Sequence, residues 1–453
     1  LDPIRALVSV RKHEWISPSA QEIELRRCQC VVCFAFMMPF YSHLARALRA
    51  FGVAAAAFLF LSLSVDVAHS QDSRATAIAQ QQAQKAKQLK ENPLPKPKPR
   101  RLRSALPRIA PLEEAVDYLI DPRGFYPLVG SVYSGGGFSA GAGYRWFYGD
   151  NTAFDIKGLY SIRNYKLLEL SAVSPGATPR RPTFRGRVGW RDATQVAFYG
   201  LGPETSADDR SNFRLQNLYA GGDVSVAPVF PFVLSGGVTY ENYTTKEGQG
   251  NQPSIETEWL PSQVPGLGAD PVMIHSVASG AIDWRPADGY ARSGGLYEVR
   301  FHNYYDLDDI FTFNRLDGDV VQHIPLFREK YVISLHGRVE TVLGDDTAPF
   351  FLLPSLGSGS TLRAYSSWRF RDRHSLLLQA EWRWIPNRRG MDMAVFYDAG
   401  KVAALSDDLT LDGLKSNVGI GVRFHGPSQT PIRVEVAHGD EGLHLVFAGS
   451  SAF

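Results

Sequence analysis

The chain has 453 residues, enough for more than one ordinary domain, and is 44% hydrophobic with 41 Gly, 26 Phe and 19 Tyr. Its 48 Lys+Arg against 46 Asp+Glu leave a net charge of +2, which lacks the strong basic excess of a nucleic-acid protein. A mean hydropathy of -0.17 argues against a bundle of membrane helices, whereas 12% aromatics at mild overall polarity suits membrane strands that alternate apolar and polar side chains.

The first methionines are Met37 and Met38, so residues 1–37 read as an over-called start. Cys28, Cys30 and Cys33 all fall in that piece, and C-Q-C-V-V-C lacks the histidine or second cysteine pair of a zinc site, so no metal is expected. Residues 38–70 follow the plan of a secretory signal peptide: Arg46 and Arg49, an apolar run from Phe51 to Leu63, then Ala68-His69-Ser70 as a small-residue cleavage site. The run is shorter than the roughly 20 apolar residues of a spanning helix. Cleavage after Ser70 leaves a chain without cysteine, suited to an oxidising periplasm. N-terminal sequencing of the exported protein should begin at Gln71; finding residues 1–60 retained would refute the signal.

Residues 71–124 read as a periplasmic linker, first Gln/Ala/Lys-rich and then Pro/Lys-rich. "NPLPKPKPRRLR" places proline at alternate positions, which forbids helix and favours an extended polyproline spacer. Its basic run is either a solvated spacer or a contact for anionic lipid headgroups or a periplasmic partner.

From Phe125 to Phe453 the hydrophobic period becomes two. In "HSLLLQAEWRWIP", Leu376, Leu378, Ala380, Trp382 and Trp384 share one face, and Ser375, Leu377, Gln379, Glu381 and Arg383 the other. "YVISLHGRVETVL", "NVGIGVRF" and "PIRVEVAHG" repeat the scheme, the last two with Arg423, Arg433 and Glu435 on the polar face. No pattern for a covering helix accompanies these segments, so a sheet of this size must close on itself or pair with another. About sixteen strand-like segments start near 125, 138, 152, 165, 183, 213, 231, 273, 294, 311, 330, 374, 391, 416, 431 and 442. The expected fold is an all-β, transmembrane antiparallel β-barrel with both ends on the periplasmic side.

The connection between the eleventh and twelfth strands, Gly344 to Arg373, is among the longest and carries "LRAY". Leu362, Arg363 and Tyr365 match the sixth-loop signature [VIL]-R-G-[FY], with Ala364 where glycine is usual. "RFRD" at Arg369–Asp372, "QAEWRW" at Gln379–Trp384, "VFYDAG" at Val395–Gly400, "FYGLGPETS" at Phe198–Ser206, "DWRP" at Asp283–Pro286 and the terminal "GLHLVFAGSSAF" add to the match. In their order and spacing these motifs resemble the BamA/TamA superfamily of outer-membrane assembly and secretion barrels, the bacterial surface antigen barrel domain. The resemblance implies a bacterial outer-membrane barrel that inserts or translocates proteins without enzymatic chemistry. It also implies a loop that plugs the lumen, with Arg363 drawn in beside Tyr365 to an acidic residue of the inner wall. Alternation turns Asp398 and Glu381 inward, so Asp398 is the expected partner and Glu381 the second candidate. Family members that insert or secrete proteins carry periplasmic POTRA domains, for which the Pro-rich linker is too short, so a barrel without them is expected. The implied partners are outer-membrane lipids and a client or secreted protein.

The first strand, "FYPLVGSVYSGGG", contains Pro127, Gly135, Gly136 and Gly137, and the last ends in "AGSSAF" at Phe453. Proline removes a ladder donor and Gly/Ser segments hold register poorly, so this seam either opens to a client strand or closes the barrel with glycine relieving crowding. The alternative function is a passive solute pore or structural barrel. A remote one is a membrane-embedded serine hydrolase, since "GFSAG" fits G-x-S-x-G around Ser139; that motif needs a strand-to-helix turn, and "FSAGAGYRWF" continues as a strand. H-E-x-x-H and phosphate-loop motifs are absent, and no cofactor is expected.

Overall fold

The computed structural model describes residues 123–149, 152–176, 178, 180–327, 329–386, 390–425, 432–449 and 452–453. The expected over-called start, signal peptide and all but the last two residues of the linker lie outside the described residues.

Alternating segments become strands in the expected order: β1 (Gly124–Gly130), β2 (Ser139–Tyr148), β3 (Thr152–Ser161), β4 (Lys166–Ser174), β5 (Thr183–Phe198), β6 (Ser211–Val229), β7 (Phe232–Glu247), β8 (Val272–Asp283), β9 (Gly294–Asp306), β10 (Phe313–Leu326) and β11 (Tyr331–Leu343). The long connection then forms a small hairpin, β12 (Ser355–Leu356) with β13 (Phe370–Arg371). The wall resumes with β14 (His374–Trp384), β15 (Met391–Ala403), β16 (Lys415–Phe424), β17 (Ile432–Gly439) and β18 (Gly442–Ala448). Sixteen strands make one antiparallel sheet in sequence order, β11 pairing directly with β14. It is the expected all-β barrel, nearly closed: the sheet begins at β1 and ends at β18, and among the described residues no ladder joins the two.

The period of two decides which side chains enter the interior. On β14, Ser375, Leu377, Gln379, Glu381 and Arg383 are buried, while Trp382 and Trp384 are exposed. Tyr144, Trp146, Phe184 and Tyr397 join them on the outer surface, where lipid solvates aromatic rings. At 16, 19 and 16 residues, β5, β6 and β7 exceed the roughly 10 needed to cross a bilayer, so they project beyond it. Among the described residues the one α-helix is the four-residue α1 (Ile255–Glu258), and no helix is long and apolar enough to cross a membrane.

Two expected strand ends are corrected. β1 stops at Gly130, and Gly135, Gly136 and Gly137 belong to its connection with β2. Gly135 and Gly137 have φ of +84° and +72°, the left-handed region that turns the chain, and Gly136 N–H closes the turn on Tyr133 O at 3.0 Å. β18 stops at Ala448, which is paired with Arg433 next to the first residue of β17. Phe453 stacks on His336, 5.0 Å between ring centroids, and so lies inside the barrel rather than at the end of its last strand.

Connections pack at both ends. At the loop end, Phe350 and Phe351 of the long connection join Val264 and Leu267 of the β7–β8 connection, over Val196, Phe198 and Phe213 of β5 and β6. At the opposite end the β8–β9 connection turns inward: buried Tyr290 stacks on His425 at 3.8 Å and donates to Asp392 Oδ2 of β15 at 2.5 Å, while Ala291 O accepts from Arg383 of β14 at 2.7 Å.

Candidate functional site

Register assembles the site from four strands. Directly opposed residues form one row Gln379–Asp398–Asn417–Gly439 and a second row Glu381–Phe396–Gly419–Ala437 across β14, β15, β16 and β17. Gly421 opposes Glu435 in the next row, and Arg423 opposes Arg433 beyond it. The glycines make room: the Phe396 ring lies over Gly419 and the Glu435 side chain over Gly421, where a Cβ would overlap them. Large side chains therefore lie flat on the wall and leave a floor for the loop.

Arg363 descends onto that floor and is 1% exposed. Its Nε donates to Asp398 Oδ2 at 2.8 Å and its Nη2 to Asp398 Oδ1 at 2.6 Å, a two-pronged pair. Nη1 donates to Glu381 Oε1 at 2.8 Å and lies 3.3 Å from Glu435. The guanidinium stacks over Phe396, 3.4 Å from the ring centroid. Arg423 donates to Glu381 Oε2 at 2.7 Å and to Glu435 Oε1 at 2.9 Å, and Arg433 to Glu435 Oε2 at 2.7 Å. Three guanidiniums thus face three carboxylates, all nearly fully buried, and neutral amides complete the shell: Gln379 and Asn417 donate to Asp398 at 3.0 and 2.8 Å. A buried ion pair repays desolvation only when its remaining hydrogen-bonding capacity is met, and here each carboxylate meets at least two donors.

The loop backbone is held as well. Gln379 Nε2 donates to Thr361 O at 2.8 Å and Arg433 Nη2 to Gly359 O at 2.8 Å. Ala364 is fully buried against Phe396 and Ala437, and it is not among the residues with positive φ, so nothing in its backbone requires glycine. The space appears opposite instead: a Cβ on Gly439 would stand 3.1 Å from that of Ala364. Tyr365 donates to Asp440 Oδ2 at 3.1 Å; burial and that carboxylate push its hydroxyl up to about 12, so it remains a donor at physiological pH.

The structure brings Arg363, Asp398 and Glu381 into direct contact, with Tyr365 on the β17–β18 turn beside them. Of the residues expected at the seam, Pro127 lies in β1 opposite Ala142, while Gly135, Gly136, Gly137 and Phe453 lie elsewhere. Ser139 opens β2 opposite Gly130 and Ser161, without the strand-to-helix turn of a nucleophile elbow. Alternation had put Arg423, Arg433 and Glu435 on the polar face; their convergence on Arg363 depends on register, which alternation does not report. Gln379, Phe396 and Asn417 were missed for the same reason.

Parts of the inner wall are wetter. Arg145–Asp155, Lys157–Glu169 and Arg185–Asp223 pair at 2.6, 2.7 and 3.0 Å on β2 to β6, with Arg185 side-chain exposure of 51% against 0% for Arg363.

Gly419→Ala tests the floor. The added methyl would overlap the Phe396 ring and the Val436 carbonyl oxygen, so overpacking should cost about 1–3 kcal/mol and lower the temperature of heat-modified migration. An unchanged transition would show that the ring does not rest there.

A sixteen-stranded antiparallel wall, lipid-compatible outside and charged inside, with a long connection bound to its inner face, defines a transmembrane β-barrel of the bacterial outer membrane. The chain belongs to the Omp85 superfamily, whose domain matches residues 147–443. Among solved structures it is similar to BamA from Haemophilus ducreyi lacking POTRA domains 1-3, with 15% identity, TM-score 0.53, and 71% of this chain and 68% of that one covered. It is also similar to CdiB from Escherichia coli, with 10% identity, TM-score 0.50, and 71% and 61% covered. These likenesses are in fold. A search of curated proteins finds no significant match.

Proposed function

We propose that this barrel handles polypeptide clients at the seam between β1 and β18, without enzymatic chemistry, and that the loop bound through Arg363 plugs the lumen. The observation that carries the reading is that, among the described residues, no ladder joins those two strands of an otherwise continuous sheet. A strand edge of this kind is the template that an incoming strand needs for β-augmentation. Family membership supports the client class: superfamily barrels assemble or secrete proteins, and by this reading so does this chain. Against a passive solute pore stand the long connection at one end and Tyr290 at the other, both packed into the interior; between the loop and β10–β11 remains a cavity of about 230 Å³ lined by Arg315, Arg338 and Glu340.

A disulfide between Val129→Cys and Leu445→Cys tests the seam in a strain where Cys28, Cys30 and Cys33 are serine. The locked barrel should fold but reproduce the outer-membrane proteome of the deletion strain, and thiol reduction should restore it. A normal proteome in the locked strain, beside a measurable defect in the deletion strain, would overturn the reading.

A further inference from the structure

Among the described residues no ladder joins the two hairpins that flank the seam, yet both are bound by one short piece of the long connection. On the β1–β2 side, Trp368 Nε1 donates to Ser134 O at 3.0 Å, and its indole stacks on Tyr133 at 5.0 Å between centroids. A Cβ on Gly135 would lie 3.4 Å from Ser367. On the β17–β18 side, Tyr365 donates to Asp440 and Arg369 pairs with Glu441, the two residues of that hairpin's turn. Arg369 reaches a third connection too, donating through both terminal nitrogens to Thr205 at 2.7 and 2.6 Å. Farther down, Gly359 packs against Val446 of β18, where any Cβ would stand 2.7 Å from the valine methyl.

The backbone between these anchors is strained. Trp368 has φ of +65°, a conformation that a bulky residue adopts only when surrounding contacts over-determine it. The buried Arg371 guanidinium, 5.2 Å from the Trp368 ring, helps to hold it there.

We propose that Tyr365–Arg369 is a clasp across the seam: Trp368 grips the first hairpin and Tyr365 and Arg369 the last, so that the strands separate when the clasp lets go. This rests on the reading of the seam as the working site. It assigns Trp368 and Arg369 as positioning residues, acting on the strand edges through the hairpin turns. The same five-residue span begins two residues after Arg363, so whatever displaces Arg363 from its carboxylates also pulls on the clasp.

Spin labels on Val129→Cys and Leu445→Cys, with Cys28, Cys30 and Cys33 as serine, report the gap between β1 and β18 by pulsed dipolar spectroscopy. Trp368→Ala and Arg369→Gln should each broaden the distance distribution and lengthen its mean by about one strand spacing, roughly 4.8 Å. Trp368→Phe, which keeps a ring for Tyr133 and loses only the N–H donor, gives an intermediate shift and covers the case in which the alanine variant does not fold. Arg373→Ala is the control, because its hydrogen bond to Gly344 O stays within the connection. An unchanged distribution in folded Trp368→Phe and Arg369→Gln, or equal broadening in Arg373→Ala, would overturn the clasp. A widened gap with an unaltered outer-membrane proteome would leave the clasp standing and refute the client reading.

Discussion

Arg363→Ala should release the long connection at a cost of about 3–5 kcal/mol, against the 0–1 kcal/mol of an exposed ion pair. The reason is what it leaves behind. Glu381 and Glu435 would keep Arg423 and Arg433, while Asp398 would keep only the Gln379 and Asn417 amides in place of its guanidinium. Asp398→Ala fails from the other side, removing the acceptor of two guanidinium hydrogen bonds and of the Gln379 and Asn417 amides. Because both changes break the same pair, the double variant should be little worse than either single one. Arg363→Lys should rescue only part, since an ammonium keeps the charge but not the two-pronged geometry. Protease cleavage within Gly344–Arg373 and planar-bilayer conductance should rise together in the single variants. Strictly additive effects in the cycle would reduce Arg363 to an ordinary surface charge.

Glu435→Ala should cost at least as much, for a reason visible only in the register. Arg423 and Arg433 oppose each other directly on β16 and β17, a placement that like charges avoid, and Glu435 accepts from both. Without it the two guanidiniums face each other at low dielectric, and Arg433 loses its carboxylate partner. Adding Arg433→Ala to Glu435→Ala should recover part of the loss, whereas adding Arg363→Ala should not. Denaturant unfolding of the detergent-solubilised barrel measures all three. A Glu435→Ala variant within about 0.5 kcal/mol of wild type would mean that water reaches the lattice and screens it.

How much of this the sequence disclosed follows from what alternation carries. A period of two gave sixteen strands with starts such as His374, Met391 and Gly442, and it put Asp398, Glu381, Arg423, Arg433 and Glu435 on the inner face. Parity is local and register is not: Gln379, Asp398 and Asn417 form one row because two hairpins hold their lengths, and no single strand encodes that. Arg363 was legible through its family signature, which sets it apart from the other arginines of its loop. Gly135–Gly137 misled because a glycine cluster reads equally as a weak strand or a turn, and its positive φ values decide for the turn. Phe453 misled because alternation is a local signal and does not report that the side chain turns in to stack on His336.

The uneven burial of charge around the inner wall gives the barrel a mechanical polarity. β14 to β17 are cross-braced by dehydrated ion pairs and tied to the loop, so shearing one against the next would break several charge-assisted bonds at once. The early strands carry solvent-exposed pairs such as Arg185–Asp223, and Gly186 faces Gly222 across β5 and β6 with no side chain between them. Bending concentrates where stiffness is least. If the seam parts as proposed, β18 would stay with its braced neighbours while β1 would swing out on the compliant wall. The lip that would move is the one carrying Pro127, and the lip that would stay is the fixed jaw against which a client strand would register.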